Sequence, residues 1–325
     1  MDTFDQRADP QRGSLTVAVI VCALAGGLTV GAALARSRTD DGGSRDAVAS
    51  IATEEYGRRL IAQTSEIIGP DHPDPAMRYS GIRMACGSCH LGVGTEPGTL
   101  SLLQAAANYP RFSGRDGGVR DLVDRVNGCM TRSMNGRELP RDSPEMIAIT
   151  AYITSLGDLY AAMGDGQRKA SEQAPFATPN RAADLKAGRQ VFEERCAICH
   201  RPDGAGLQAT PDRMDGYVFP PLWGPDSFNN GAGMHRVLTA ARFIKAKMPL
   251  GQADLTNDQA FDVAAYINSQ PRPQMAGLER DYPDRSTKPI DGAYGPFADD
   301  FPLEQHRFGP FQPIDQHYKS LKKAN

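Results

Sequence analysis

An all-α chain made from two copies of one helical unit is what this sequence predicts, and three observations carry that reading. Cys86-Gly-Ser-Cys89-His90 recurs as Cys196-Ala-Ile-Cys199-His200. Each copy is followed by an apolar segment, PEMIAITAYITSL at 144–156 and DQAFDVAAYINSQ at 258–270. No segment shows the sustained apolar–polar alternation of a half-buried strand.

With Tyr152 set over Tyr266, Ala151 meets Ala265, Ile153 meets Ile267 and Ser155 meets Ser269. The interval from His90 to Tyr152 nearly equals that from His200 to Tyr266. Duplication of one domain accounts for both agreements.

The first element is an uncharged run, 15–35, long enough to span a bilayer as a helix. It ends in Ala33-Leu34-Ala35, the small-x-small pattern of a signal-peptidase site. Arg7 and Arg12 face three aspartates in the segment before it, a weak signal-peptide start. Either reading exports the rest of the chain. The expected location is the periplasm, soluble after cleavage near Ala35 or anchored to the inner membrane by residues 15–35. Residues 1–46 are therefore leader or anchor plus a polar tether.

Residues 47–165 form the first helical unit, 166–182 a polar linker and 183–272 the second unit. Residues 273–325 carry seven prolines and seven aromatics. Disordered tails are poor in aromatics, so this tail is expected to be irregular but packed across the domain surfaces. Ser143-Pro144 supplies an N-cap with proline at the first helical position. Thr256 and Gln259 have the spacing of a capping box. Asp184 to Arg195 places Leu185, Gly188 and Phe192 on one face, and Gly188 would let the Tyr266 helix approach closely.

Composition excludes several classes. A net charge of −3 argues against a generic nucleic-acid binder. Mean hydropathy of −0.44 excludes a polytopic membrane protein. Six cysteines in 325 residues are too sparse for a disulfide scaffold.

Cys-x-x-Cys-His is the attachment signature of c-type haem: two thiols bond the vinyl groups and the adjacent imidazole becomes the proximal ligand. A zinc site would need two further Cys or His ligands nearby, and a thioredoxin-like dithiol would need a βαβ setting. Neither is present, so two covalent haems c are expected, on Cys86, Cys89 and His90 and on Cys196, Cys199 and His200. Met248, in a Met-Pro turn between His200 and Tyr266, is the expected sixth ligand of the second iron, with Lys247 and His235 as rivals.

The first haem has two candidates. Met134 precedes Tyr152 by the same offset that separates Met248 from Tyr266. Cys129 is the unpaired thiol of an exported chain, which calls for a reason. Around it stand six arginines between positions 111 and 137: Arg111, Arg115, Arg120, Arg125, Arg132 and Arg137. Arg120 and Arg132 read as a solvated helix face, and a subset of the others as an anion site, since guanidinium offers forked donors to oxyanions.

At these residues the chain resembles the dihaem thiosulfate dehydrogenases, from about residue 50 to the C-terminus. The resemblance rests on CGSCH, RVNGCMTRSMNGR (125–137), CAICH, AKMPLG (246–251) and the aromatic tail. It implies that haem 1 is held by His90 and Cys129, and haem 2 by His200 with Met248 or, alternately, Lys247. It places Arg115 and Arg125 in the substrate site, with Ser133 beside them. The reading is two fused class I-type cytochrome c domains with an irregular C-terminal tail, joining two thiosulfates into tetrathionate and passing two electrons to an acceptor c-type cytochrome or similar protein. A plain dihaem electron carrier and a tetrathionate reductase are the alternatives. A covalent cysteine adduct and an outer-sphere route are both open.

Overall fold

The computed structural model describes residues 53–324 apart from 99, 171, 173–174 and 212–213. The expected leader or anchor at 15–35 lies outside the described residues. Among those described, no helix is long and apolar enough to cross a membrane.

In the first half, α1 (residues 53–62) and α2 (Thr64–Ile68) precede the Cys86 motif. A hairpin of β1 (Arg111–Ser113) and β2 (Gly118–Arg120) leads into α3 (Leu122–Arg132), and α4 (Pro144–Ala162) closes the unit. A short helix, α5 (Asp165–Ala170), forms at the start of the expected linker. In the second half, α6 (Leu185–Arg195) runs directly into α7 (Ala197–His200). A small antiparallel pair, β3 (Leu207–Gln208) and β4 (Tyr217–Phe219), follows, then α8 (Val237–Lys247) and α9 (Asn257–Ser269). The four strands are where the sequence reading fell short. None exceeds three residues, too short to show alternation.

The caps form as the sequence predicts. Ser143 accepts from the Met146 amide ahead of Pro144, and Thr256 and Gln259 make a reciprocal capping box. Asp184 caps α6 by accepting from the Lys186 and Ala187 amides.

Each half is organised by one helix crossing. A Cβ on Gly188 would lie 2.0 Å from the Asp262 carbonyl oxygen and 3.0 Å from Tyr266 Cβ. A Cβ on Gly57 would lie 2.0 Å from the Ala148 carbonyl oxygen and 2.8 Å from Tyr152 Cβ. Both carbonyls belong to the residue four before the paired tyrosine, so the two crossings share one register. The sequence points to Gly188 because it lies about two helical turns ahead of Cys196. Gly57 stands much farther ahead of Cys86, behind an insertion that hides the equivalence.

Behind the first crossing Leu60, Ile68, Met130, Met134, Met146 and Ile153 are buried together. Behind the second, Phe192, Phe261 and Leu255 are buried, with the Phe192 ring 4.9 Å from Trp223 and 5.6 Å from Tyr266. The tail is irregular from 273 to 302 apart from two short 3-10 turns, but then forms α10 (Leu303–Phe308) and α11 (Gln312–Ala324). Phe311, Ile314 and Tyr318 of this last stretch are buried in the second core. Their spacing of three and four is helical, interrupted to the eye by Pro310 and Pro313.

Because the carbonyl at each crossing is backbone, a side chain on Gly188 cannot be accommodated by rotamer changes alone. Gly188→Val is expected to cost about 2 kcal/mol or more, read as a lowered Tm of the holoprotein; an unchanged melt would contradict the crossing.

Candidate functional site

Both cysteine motifs are wound into short helical turns that bring the thiols and imidazole together. His90 Nδ1 lies 2.7 Å from the Leu100 carbonyl oxygen, and His200 Nδ1 lies 2.8 Å from that of Pro220. A carbonyl accepts only, so Nδ1 carries the proton and Nε2 is left as the ligating nitrogen. Burial holds both imidazoles below their usual range.

Burial also pushes Cys86 and Cys196 up to about 11 and Cys89 to about 12. A redox dithiol or thiolate nucleophile needs the opposite shift. The five described cysteines form no disulfide with one another, and each is half-buried. For Cys86, Cys89 and Cys196, strong desolvation with partial accessibility describes thiols at the bottom of a crevice. Thiols that are not redox-poised, an imidazole with a fixed tautomer and an open crevice fit a thioether-bound haem in both halves.

Helix α3 carries the distinctive residues. Asp121 and Asp124 form its capping box, each accepting from the other's amide, and both also pair with Arg141. Arg125 and Cys129 are four apart and share one helix face. Ser133 is the C-cap, its amide donating to the Cys129 carbonyl. Met134, the rival of Cys129, is 3 % exposed and packed in the first core. Cys129 is electrostatically coupled to Cys86, Cys89 and Arg125, and Arg125 to His90, so these five groups lie near one another. Arg125 is pushed up, first by Cys129 and against burial. The residue as a whole is exposed to solvent.

Arg115 sits at the tip of the β1–β2 hairpin, whose turn closes through Gly117 at φ +66°. The tip is pressed on the tail: Cβ atoms on Gly114 and Gly117 would lie 2.7 Å from Thr287 and 3.0 Å from Pro283. The Arg115 carbonyl accepts from the Tyr282 amide at 2.7 Å, and its guanidinium reaches the Tyr282 hydroxyl and the Gly231 carbonyl, each at 3.4 Å. Burial works against the Arg115 charge, and Tyr282, Tyr294 and Asp281 more than offset it.

The other four arginines are engaged elsewhere. Arg111 lies over Tyr109, and Arg120 pairs with Asp116 at 3.5 Å with its side chain 43 % exposed. Arg137 stacks 3.8 Å from the Tyr79 ring centroid and donates to the Arg78 carbonyl. Arg132 corrects the expectation of a solvated face. Its side chain is 12 % exposed and forms a two-pronged pair with Asp281 of the tail, both prongs 2.8 Å. Its partner is 149 residues away, so no local pattern could reveal it. Among the described residues, neither Arg115 nor Arg125 forms an ion pair with a carboxylate.

In the second half Met248 caps the C-terminus of α8 and packs against the core. Lys247 points elsewhere: its ammonium lies 3.1 Å from Glu96 and 2.5 Å from the Pro97 carbonyl, both in the first half. His235 is likewise committed, with Nδ1 2.9 Å from the Asn230 carbonyl and Nε2 3.3 Å from that of Asn268.

Burial, aided by Arg272, pulls His235 down to about 4, with Arg307 adding a smaller push. An unfolded histidine takes its proton near 6.5, so the unfolded state binds more protons between those values. The stabilisation is complete above about pH 6.5 and vanishes as pH falls through about 4. His235→Gln should remove on the order of 3 kcal/mol of that acid-side slope, measured as Tm against pH. Parallel profiles for the two proteins would refute it.

Residues 80–158 match the SoxA/TsdA cytochrome c domain family, and residues 185–271 match the cytochrome c family. A thiosulfate dehydrogenase of Stutzerimonas stutzeri is 40 % identical over 220 residues, covering 67 % of this chain and 69 % of that protein. One from Allochromatium vinosum is 39 % identical over 222 residues, covering 67 % of this chain and 77 % of its own length. The solved structure of thiosulfate dehydrogenase (TsdBA) from Marichromatium purpuratum, in its as-isolated form, superposes with a TM-score of 0.63 at 31 % identity. That match covers 79 % of this chain and 52 % of the other, so this chain spans about half the length of the solved one. The two halves are cytochrome c domains, each with a covalently bound haem c, and the chain belongs to the thiosulfate dehydrogenase family.

Proposed function

We propose that this chain is a periplasmic oxidoreductase that joins two thiosulfate dianions into one tetrathionate dianion and releases two electrons to an acceptor c-type cytochrome or similar redox protein. The observation that carries the reading is that Cys129 and Arg125 share one face of α3, that Arg115 is electrostatically coupled to Arg125, and that neither arginine has a carboxylate partner among the described residues. Asp116, Asp121 and Asp124, the acids nearest in sequence, are committed to Arg120, Arg141 and the α3 cap.

Charge explains the need for that arrangement. Two dianions brought to about 4 Å repel by roughly 4 kcal/mol even in water, four times the unit-charge value. Arg115 and Arg125 stand on different elements, a hairpin tip and a helix face, and their charges act on one another. Two separately anchored guanidinium groups can each hold one sulfonate end and turn the two sulfane sulfurs towards each other. Sulfur–sulfur bond formation then joins two S2O3 units as S4O6, and net charge falls from four negative to two negative as two electrons leave.

The haems, when bound, accept these electrons singly and pass them on. His90 with Cys129, and His200 with Met248, are the residues that would hold the two irons. Lys247 would have to leave Glu96 and Pro97 to replace Met248. Ser133, at the end of α3, would help fix the anion beside Cys129. Export with an anchor or a cleaved leader at 15–35 agrees with covalent haem attachment outside the cytoplasm.

Arg115→Ala and Arg125→Ala should each lower kcat/KM for thiosulfate by tenfold to a hundredfold, the value of one to two charge-assisted hydrogen bonds. Arg120→Ala should stay within about twofold, since its pair with Asp116 is exposed. Equal, mild losses across all three would mean a diffuse field and no bound anion. Cys129→Gly should abolish tetrathionate formation while mass spectrometry still shows two haems. A variant that still forms tetrathionate would remove Cys129 from the chemistry.

A further inference from the structure

A second recess lies on the second domain, where the C-terminal end of α9 faces α10. It encloses about 300 Å3, at the lower end of small-ligand pockets. Asn230, His235, Asn268, Gln270, Arg272 and Arg307 are among its walls, and no Asp or Glu lines it. Cys196, Cys199, His200 and Met248 do not line it either, so it is separate from the groups that hold the second haem.

Arg272 is the unusual member. It is 7 % exposed, with one guanidinium face 4.3 Å from the Phe228 ring centroid. Nη2 donates to the Ile267 carbonyl at 2.8 Å, whereas Nε and Nη1 have no acceptor among the described residues. Burial pulls Arg272 down to about 10, with Arg307 adding to the push. A buried charge without a counterion, holding open N–H donors, is among the least favourable arrangements in a folded protein.

The surrounding amides relieve it only in part: Asn268 Oδ1 accepts from Nη2 at 3.4 Å, and no amide oxygen reaches Nε or Nη1. Asn230 donates to Gln274, Asn268 to the Met234 carbonyl, Gln270 to the Tyr266 carbonyl and Gln274 to the Arg272 carbonyl. His235, pulled down to about 4, is uncharged at neutral pH and has one N–H to give, with the Asn230 carbonyl 2.9 Å from Nδ1 and the Asn268 carbonyl 3.3 Å from Nε2. Arg307 pairs with Glu304, 3.3 Å away and 69 % exposed, a weak solvent-screened contact. The recess therefore offers two guanidinium groups and lacks a negative charge of its own.

We infer that this recess binds a sulfur oxyanion, as a second anion site distinct from the Cys129 centre. Its anionic character rests on Arg272 and Arg307. The choice of a sulfur oxyanion rests on the proposed activity and on position, because Asn230 and Ala293 line both this recess and the small one beside Arg115. An anion held here sits one wall away from Arg115.

Tetrathionate added to the fully oxidised holoprotein is the probe, since no electrons are then available to reduce it. Calorimetric titration should show two sites. Arg272→Gln should weaken one of them by at least about tenfold and leave the other within twofold. Arg125→Ala should weaken only the other. Arg307→Gln, on the open side of the recess, should weaken the Arg272 site several-fold and serves if Arg272→Gln does not fold. Two unchanged sites in either recess variant would overturn the inference. So would a shifted haem 2 potential with unaltered anion binding, which would assign Arg272 to a haem propionate. An inactive enzyme whose Arg272 site still binds tetrathionate would uphold the recess and refute only the proposed activity.

Discussion

The buried pair between Arg132 and Asp281 is the interaction on which the catalytic half depends. Arg132 is the last residue of α3, three after Cys129, and Asp281 belongs to the tail that follows the second domain. Tyr294 donates to the same carboxylate at 2.5 Å, and the Gly231 carbonyl accepts from Arg132 at 3.3 Å. Beside it, Asn229 donates to the Thr131 carbonyl at 2.9 Å and the Asn135 side chain at 3.0 Å. Removing one partner of so enclosed a pair leaves an unpaired charge, at a cost of about 3–5 kcal/mol. The orientation of α3, and with it the direction of Cys129 and Arg125, is thus fixed from outside the first domain. Tyr282, next to Asp281, extends the same lock to Arg115 at the hairpin tip.

That arrangement gives the second domain and the tail a part in the first domain's chemistry. A single helical domain could present Cys129 and Arg125 on one helix face. It could not hold a second cation at an independent angle, because the hairpin carrying Arg115 has only three-residue strands and little core of its own. Segment 282–287 supplies the surface that the hairpin lacks. Lys247 reaches the other way, joining the end of α8 to the loop between His90 and Leu100 that orients the first imidazole. The two halves are tied at two separate places, through Arg132 with Asp281 and through Lys247 with Glu96 and Pro97.

Local signals in the sequence account for much of this. Haem attachment, the capped helices and the Gly188 crossing each follow from residues within a few positions of one another, where propensity, capping and sterics act. Cys129 is conspicuous through its lack of a partner, and the arginine cluster through its density. What could not be read was which arginines are neutralised. Arg132 and Arg120 look alike in sequence, yet one is locked to Asp281 and the other is solvated beside Asp116, a difference set by a contact 149 residues distant. The Arg272 recess was hidden for the same reason, since its walls come from α9, α10 and the loop before α8. The helical end of the tail was obscured by prolines that mark its start and the loop before it.

The central claim is that Cys129, and not Met134, is the axial partner of His90 in a crevice where two arginines await anions. A crystal structure of the oxidised holoprotein tests it most directly. The account predicts Cys129 Sγ on the iron of haem 1, opposite His90 Nε2, with Met134 still packed beside Met130 and Arg115 and Arg125 facing the same side. Met134 Sδ on the iron, with Cys129 turned away from it, would contradict the account.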